Sequence, residues 1–401
     1  MKLYSKYLII LILMLTAFLR FYRLDYPKGY VFDEVYHAFT AKEYALNNPK
    51  AWEWWNTPPS GVAYEWTHPP LAKEIMALSM IIFGSMDSWA WRFPGALLGV
   101  LAVLLVYALA KKIFHKEIIA LIAAFLFSLD GLNFVQSRTG MNDMYFVTFM
   151  LACIYFFLRK SLILSAIFLG LSLASKWSAL YTLPLIFLFL VKERKILNFL
   201  PFLIIPPLVY LASYIPFFLL GHSFDQFIQL QQQIWWYHTG LKATHSYTSA
   251  WWSWPLNLYP VWYFVEYKED QMANIFASGN PLLFWSGSIA LILTLFESIK
   301  KKSFNLFIPV LGFLVFLLPW AFSPRIMFLY HFAPCTPFLS LALGYQLGRN
   351  WEDNKTFKLV VLLLVLISLS FLLIYPYLTG VFLPKNYINL FFSTNLSSNP
   401  F

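Results

Sequence analysis

Charge is what this sequence has least of. Only 12% of its 401 residues are charged, against 60% hydrophobic, and the mean hydropathy is +0.62. A soluble domain of this length has no means of burying so much apolar surface, so that class is excluded. Acids are scarcer than bases, 19 against 29, which leaves a formal charge of +10. The excess forms no patch: Lys and Arg fall in short clusters between apolar runs. That spacing excludes a nucleic-acid footprint and fits the cytoplasmic loops of a membrane protein. Cysteine is nearly absent. Cys153 and Cys335 lie in apolar runs, offer no metal-ligand spacing and argue no disulfide. The sequence has no internal repeat, no low-complexity tract and no appended soluble domain. The first apolar run lacks a small-residue cleavage pattern and leads into Arg20 and Arg23, so it reads as a span and not a signal peptide.

What the sequence does have is apolar runs, and a membrane-crossing helix needs roughly 17–25 such residues. Eleven are readable: Tyr7–Phe18, Phe93–Leu109, Ile118–Leu129, Met144–Leu158, Leu162–Ala174, Leu180–Val191, Leu197–Leu220, Pro281–Phe296, Phe304–Phe322, Met327–Leu347 and Leu359–Leu378. Six basic clusters hold 16 of the 29 Lys and Arg residues, and alternating sidedness puts all six on one face. The expectation is an all-α polytopic membrane protein of about eleven transmembrane helices, with its N-terminus cytoplasmic. Two long external loops, roughly 23–92 and Gly221–Asn280, interrupt it, and a short outer turn spans Asn133–Asn142. Glu34–Leu46 and Leu71–Phe83 read as short interfacial helices, the second opened by Pro69-Pro70. The chain divides into an N-terminal membrane module, 1–220, and a C-terminal part, 221–401, made of the second loop and four spans.

Within the first loop, Asp33 and Glu34 stand side by side just beyond a span, where acids usually mark function. An ordinary alternative is an N-cap at Asp33 with Glu34 in the first helical turn. Chemistry on the outer face cannot draw on cytosolic nucleotide donors, so an activated sugar has to arrive in the lipid. Its transfer needs a base for the acceptor hydroxyl and cations for the leaving phosphate. Asp33 and Glu34 offer the base, and Arg20, Lys73, Arg92 and Arg138 offer the cations. Each cation has a plain reading too: Arg20 and Arg92 at span mouths, Lys73 on a solvated face, Arg138 paired with Asp143.

Arg20, then Phe32-Asp33-Glu34-Val35, His68-Pro69-Pro70-Leu71-Ala72-Lys73, Arg92-Phe93-Pro94-Gly95-Ala96-Leu97 and Ser137-Arg138-Thr139 occur in an order that resembles the protein O-mannosyltransferase family. The segment from Tyr237 to Tyr263 is similar to the start of that family's C-terminal four-span region. The resemblance implies a GT-C type glycosyltransferase fold of prokaryotic type. It implies inverting transfer of mannose from polyprenyl-phosphate-mannose to Ser or Thr hydroxyls of an acceptor protein, outside the cytoplasmic membrane. Asp33 would be the general base, with Glu34 supporting it. Arg20 and Arg92 would hold the lipid phosphate with Lys73, and Arg138 and Asp143 would brace the site. His68, His245 and Trp254 are supporting candidates, and Trp252 and Trp254 offer faces for a sugar. No metal or other cofactor is assigned, because Arg and Lys suit phosphate. The bilayer and the protein translocation machinery are the further partners expected. The second loop lacks the large soluble domain of eukaryotic members, and Ala72 stands where many members have Gly. A related transferase acting on a lipid or glycan acceptor, like the aminoarabinose transferases, is the alternative. A transporter is disfavoured because the acids sit at the outer boundary and no halves repeat.

Overall fold

The structure is a computed structural model, and it describes residues 2–390. The apolar runs are helical. Helix α1 is Lys2–Phe21, followed by the loop helices α2 (His37–Ala45) and α3 (Leu71–Phe83). Pro70 opens α3, and Gly84, at φ +61°, ends it in the left-handed conformation that glycine tolerates best. Next come α4 (Ser88–Phe114), α5 (Glu117–Ser128), α6 (Gly131–Arg138), α7 (Asp143–Leu158), α8 (Leu162–Ser175), α9 (Thr182–Lys192), α10 (Leu200–Ala212) and α11 (Ile215–Leu219). The second half holds α12 (Phe224–Thr239), α13 (Pro281–Lys300), α14 (Phe304–Leu317), α15 (Thr336–Arg349) and α16 (Asn354–Thr379).

The core sits where α4, α5, α7 and α15 meet, and residues 119–154 are buried almost without interruption. Small residues let the backbones close up there. A Cβ on Gly344 would lie 2.7 Å from Ala123, and one on Gly348 would lie 2.6 Å from Ile119. Such contacts suit helices that have no hydrophobic drive toward one another in lipid.

Helix length bears on the span count, and two other expectations need correction. By length and composition, four helices among the described residues can cross a membrane: Ser88–Phe114, Pro281–Lys300, Phe304–Phe322 and Asn354–Thr379. The bent pair α5–α6 makes a fifth if it crosses as one, and the other apolar runs form shorter helices. The short outer turn is instead the buried helix α6, which leaves α5 at 60°. Asp130 nucleates it by accepting from Leu132 N at 3.0 Å and Asn133 Nδ2 at 2.7 Å, while Asn133 Oδ1 and Gln136 Nε2 find no partner among the described residues. The second long loop is not purely helical either. Strands β1 (Val261–Lys268), β2 (Gln271–Ala277) and β3 (Phe382–Pro384) form an antiparallel sheet in the order β1-β2-β3. The β-branched and aromatic run Val261-Trp262-Tyr263-Phe264-Val265 pairs back through a turn at Glu269, which takes φ +50°.

Candidate active site

Asp33 and Glu34 lie in a 3₁₀ turn, Phe32–Val35. Its N-cap position is Val31 and that of α2 is Tyr36, so Asp33 caps neither. Phe32 adopts φ +48°, uncommon for a bulky residue, and its ring stacks on Tyr263 of β1 at 4.2 Å and 8°. The turn sends the two carboxylates to different fates. Glu34 is buried and accepts from Arg92 Nε and Nη2 at 2.7 Å each, Val31 N at 2.8 Å, Gly140 N at 2.7 Å and Trp91 Nε1 at 3.1 Å. Asp33 is partly buried, and its carboxylate forms no hydrogen bond or ion pair with any described residue. Burial pushes its carboxyl up to about 6, against the opposing pull of His37 and Lys176.

Of the four cations expected at a donor phosphate, three are occupied by the protein itself. Arg92 gives its five N–H donors to Glu34 and to the carbonyls of Leu24 (3.3 Å), Pro27 (2.7 Å) and Gly29 (3.1 Å). Lys73 is buried, pairs with the Glu65 carboxylate and donates to the carbonyls of Glu65 and His68 at 2.9 Å each. Burial raises the Glu65 carboxyl, but Lys73, His37 and His68 together outweigh it and hold that group well below the usual range. Arg138 donates to the carbonyls of Leu19 (3.0 Å), Arg20 (2.6 Å), Tyr22 (2.9 Å) and Arg23 (3.2 Å), closing the C-terminal end of α1. It does not pair with Asp143, whose carboxylate meets Lys176 Nζ at 2.7 Å. Arg20 differs from the other three. It is buried against the Phe134 ring at 5.4 Å, and none of its three guanidinium nitrogens has a partner among the described residues. Gly99 makes the room, since a Cβ there would lie 2.7 Å from Arg20 Nε.

Around Asp33 the fold assembles groups that the motifs did not reveal. His37 Nδ1 lies 3.5 Å from Glu65, and His68 packs at a tilt of 33° and 5.1 Å against His238 of α12. His238 contacts the Thr67 carbonyl at 2.8 Å and Arg325 Nη1 at 3.2 Å. Burial pushes His68 well down and His238 to about 4, so both rings are neutral at pH 7. Arg325 lies over Tyr237 at 4.2 Å with its Nε unpartnered. Lys176, with one acceptor at Asp143, faces the Tyr330 ring at 5.7 Å. The signal for Lys176 and Arg325 was present: both fall on the side of the chain that is otherwise poor in bases. Two supporting residues sit elsewhere than a sugar would need them. Trp254 is buried, bonded to Ser249 Oγ at 2.9 Å and packed on Trp320 at 5.8 Å and His331 at 6.1 Å, so its face is covered. His245 is exposed, accepting from Tyr247 N at 3.2 Å.

Comparison with known proteins covers most of the chain. Residues 10–220 match the family described as dolichyl-phosphate-mannose-protein mannosyltransferase, and residues 223–391 match the C-terminal four-span region of protein O-mannosyltransferase. A polyprenol-phosphate-mannose–protein mannosyltransferase of Mycobacterium tuberculosis is 26% identical, covering 96% of this chain and 89% of its own. The protein of that name from Mycolicibacterium smegmatis is also 26% identical, over 94% and 90%. The fold is similar to the Saccharomyces cerevisiae protein O-mannosyltransferase complex bound to the sugar donor, with TM-score 0.79, 15% identity and coverage of 94% and 90%. It is also similar to ArnT of Cupriavidus metallidurans bound to undecaprenyl phosphate, with TM-score 0.64, 15% identity and coverage of 91% and 64%.

Proposed function

Because this chain belongs to the dolichyl-phosphate-mannose-protein mannosyltransferase family, we propose that it transfers mannose from polyprenyl-phosphate-mannose to Ser or Thr hydroxyls of proteins, with Asp33 as the base. It is a glycosyltransferase by that membership. Asp33 takes the proton of the acceptor hydroxyl, the oxygen attacks C1 of mannose from the face opposite the phosphate, and polyprenyl phosphate leaves. The configuration inverts in this single displacement. The observation that carries the reading is the Asp33 carboxylate, free of protein partners beside a Glu34 whose acceptors are saturated. A group held near 6 is ionised at neutral pH and still basic enough to take a proton.

Charge at the leaving phosphate falls to the cations with donors to spare: Arg20 from the expected set, joined by Lys176 and Arg325. Arg92, Lys73 and Arg138 hold the loop and α1 in place around them. The two parts, 1–220 and 221–401, build the site jointly, since Tyr263, His238 and Arg325 come from the second. We place the site on the external face of a prokaryotic cytoplasmic membrane crossed eleven times, with the N-terminus inside. Acceptor segments reach it unfolded, as they do on leaving translocation machinery.

The test is transfer of labelled mannose from polyprenyl-phosphate-mannose to a Thr-rich peptide by wild type and Asp33→Asn. A general base contributes roughly 10²–10⁴-fold, and that loss is expected in the variant. Equal rates would remove Asp33 from the chemistry. Label appearing in lipid or glycan and never in peptide would transfer the assignment to the aminoarabinose-transferase-like reading.

A further inference from the structure

A cavity of about 250 Å³ lies far from Asp33. Helices α4, α7 and α9 contribute their opposite ends to the two places. Helix α4 carries Arg92 near its start and Lys112 near its end, α7 runs from Asp143 to Leu158, and α9 ends at Lys192 beside Glu193. Twenty residues at ~1.5 Å each put Lys112 roughly 30 Å from Arg92, the thickness of a hydrocarbon core. The cavity therefore opens at the basic end of the bundle and takes no part in the site already described.

Its lining is divided in character. Ile113, Phe157, Phe189 and Ile308 give an apolar floor, and Lys112, His115, Lys160 and Lys195 stand around it. Lys195 pairs with Glu193 at 3.2 Å. The ammonium groups of Lys112 and Lys160 form no hydrogen bond or ion pair with any described residue. Beside the lining residues Leu162 and Leu190, Ile163, Leu164 and Val191 are exposed, so apolar surface continues outward from the floor. The volume holds a phosphate headgroup but not two acyl chains, which have that exposed surface to follow.

We propose that this cavity binds one anionic phospholipid, its phosphate between Lys112 and Lys160 and its chains running out over Ile163 and Val191. Scattered basic residues explain lysines at a cytoplasmic face in general. They do not explain two unpaired lysines over an apolar recess, which is the form of a basic lipid pocket between helices.

The purified full-length protein, titrated with phosphatidylglycerol or phosphatidylcholine and read by native mass spectrometry, tests this. We expect one retained phosphatidylglycerol that phosphatidylcholine does not replace. Lys112→Gln with Lys160→Gln should weaken it roughly 30-fold, at about 5-fold per lysine. The matched change Lys300→Gln with Lys302→Gln should leave it intact, and both double variants should keep wild-type mannose transfer and Tm. Equal weakening by the two double variants, or equal retention of the two lipids, would overturn the proposal in favour of diffuse charge. Displacement by millimolar inorganic phosphate alone would overturn it in favour of a free anion.

Discussion

The Glu34 carboxylate accepts five hydrogen bonds while that of Asp33, one residue earlier, accepts none from the described residues, and pH separates their roles. With Asp33 at about 6, kcat/KM for transfer should rise tenfold per pH unit below 6 and level off above it. A profile flat from pH 5 to 8 would remove the carboxylate from the rate. The sign for stability is opposite. Folding raises this pKa above its unfolded value near 3.9, so the native state is penalised wherever Asp33 is ionised. That penalty is complete above pH 6 and gone below about pH 4. Asp33→Asn should therefore melt higher than wild type at pH 8 and alike near pH 4, while remaining inactive. Glu34→Gln should do the reverse at neutral pH: it strands the Arg92 guanidinium in a buried site, which costs about 3–5 kcal/mol, and Tm and folded yield should fall together. The adjacent acids were legible in the sequence, but which one was free was not. That depends on Gly140 and Trp91, brought to Glu34 from residues far along the chain.

At the scale of elements, β1 governs the turn that carries Asp33 through the Tyr263–Phe32 stack. Such a stack contributes about 1 kcal/mol and here opposes an unfavourable backbone at Phe32. Tyr263→Ala should lower kcat about 5–10-fold with donor KM unchanged, and Tyr263→Phe, which keeps the stack, should stay near wild type. If Phe impairs as much as Ala, the hydroxyl and its 3.4 Å contact with Gln136 are what count. The helices were readable because long apolar runs have few other uses. The hairpin was hidden because its Trp and Tyr residues also suit an interfacial belt. Helix α6 was hidden because Asn133, Gln136 and Ser137 look solvent-facing, whereas the fold buries all three and pairs Asn133 with Asp130 and Thr336.

At the scale of the whole molecule, sidedness is the property to measure. Cys153 and Cys335 are buried, so the native chain gives little background to thiol reagents. Ser60→Cys, in the first long loop, should label with an impermeant maleimide in intact cells, and Lys302→Cys only after permeabilisation. Labelling of both from one side would reject the eleven-crossing arrangement. The expected sidedness rests on where the bases cluster. The sequence was uninformative about which cations serve the site, because a buried Arg that closes a helix end and one that awaits an anion look alike in one dimension.

The closure of α1 by Arg138 also carries a timing. Four carbonyls at the end of that helix depend on a guanidinium 118 residues downstream of Arg20. At roughly 5–20 residues per second of synthesis, about 6–24 s pass before it is made. For that interval the C-terminal end of α1 stands unfinished, held by water or by whatever insertion factor attends it. The birth order of the chain thus makes α6 the piece that releases α1 from care.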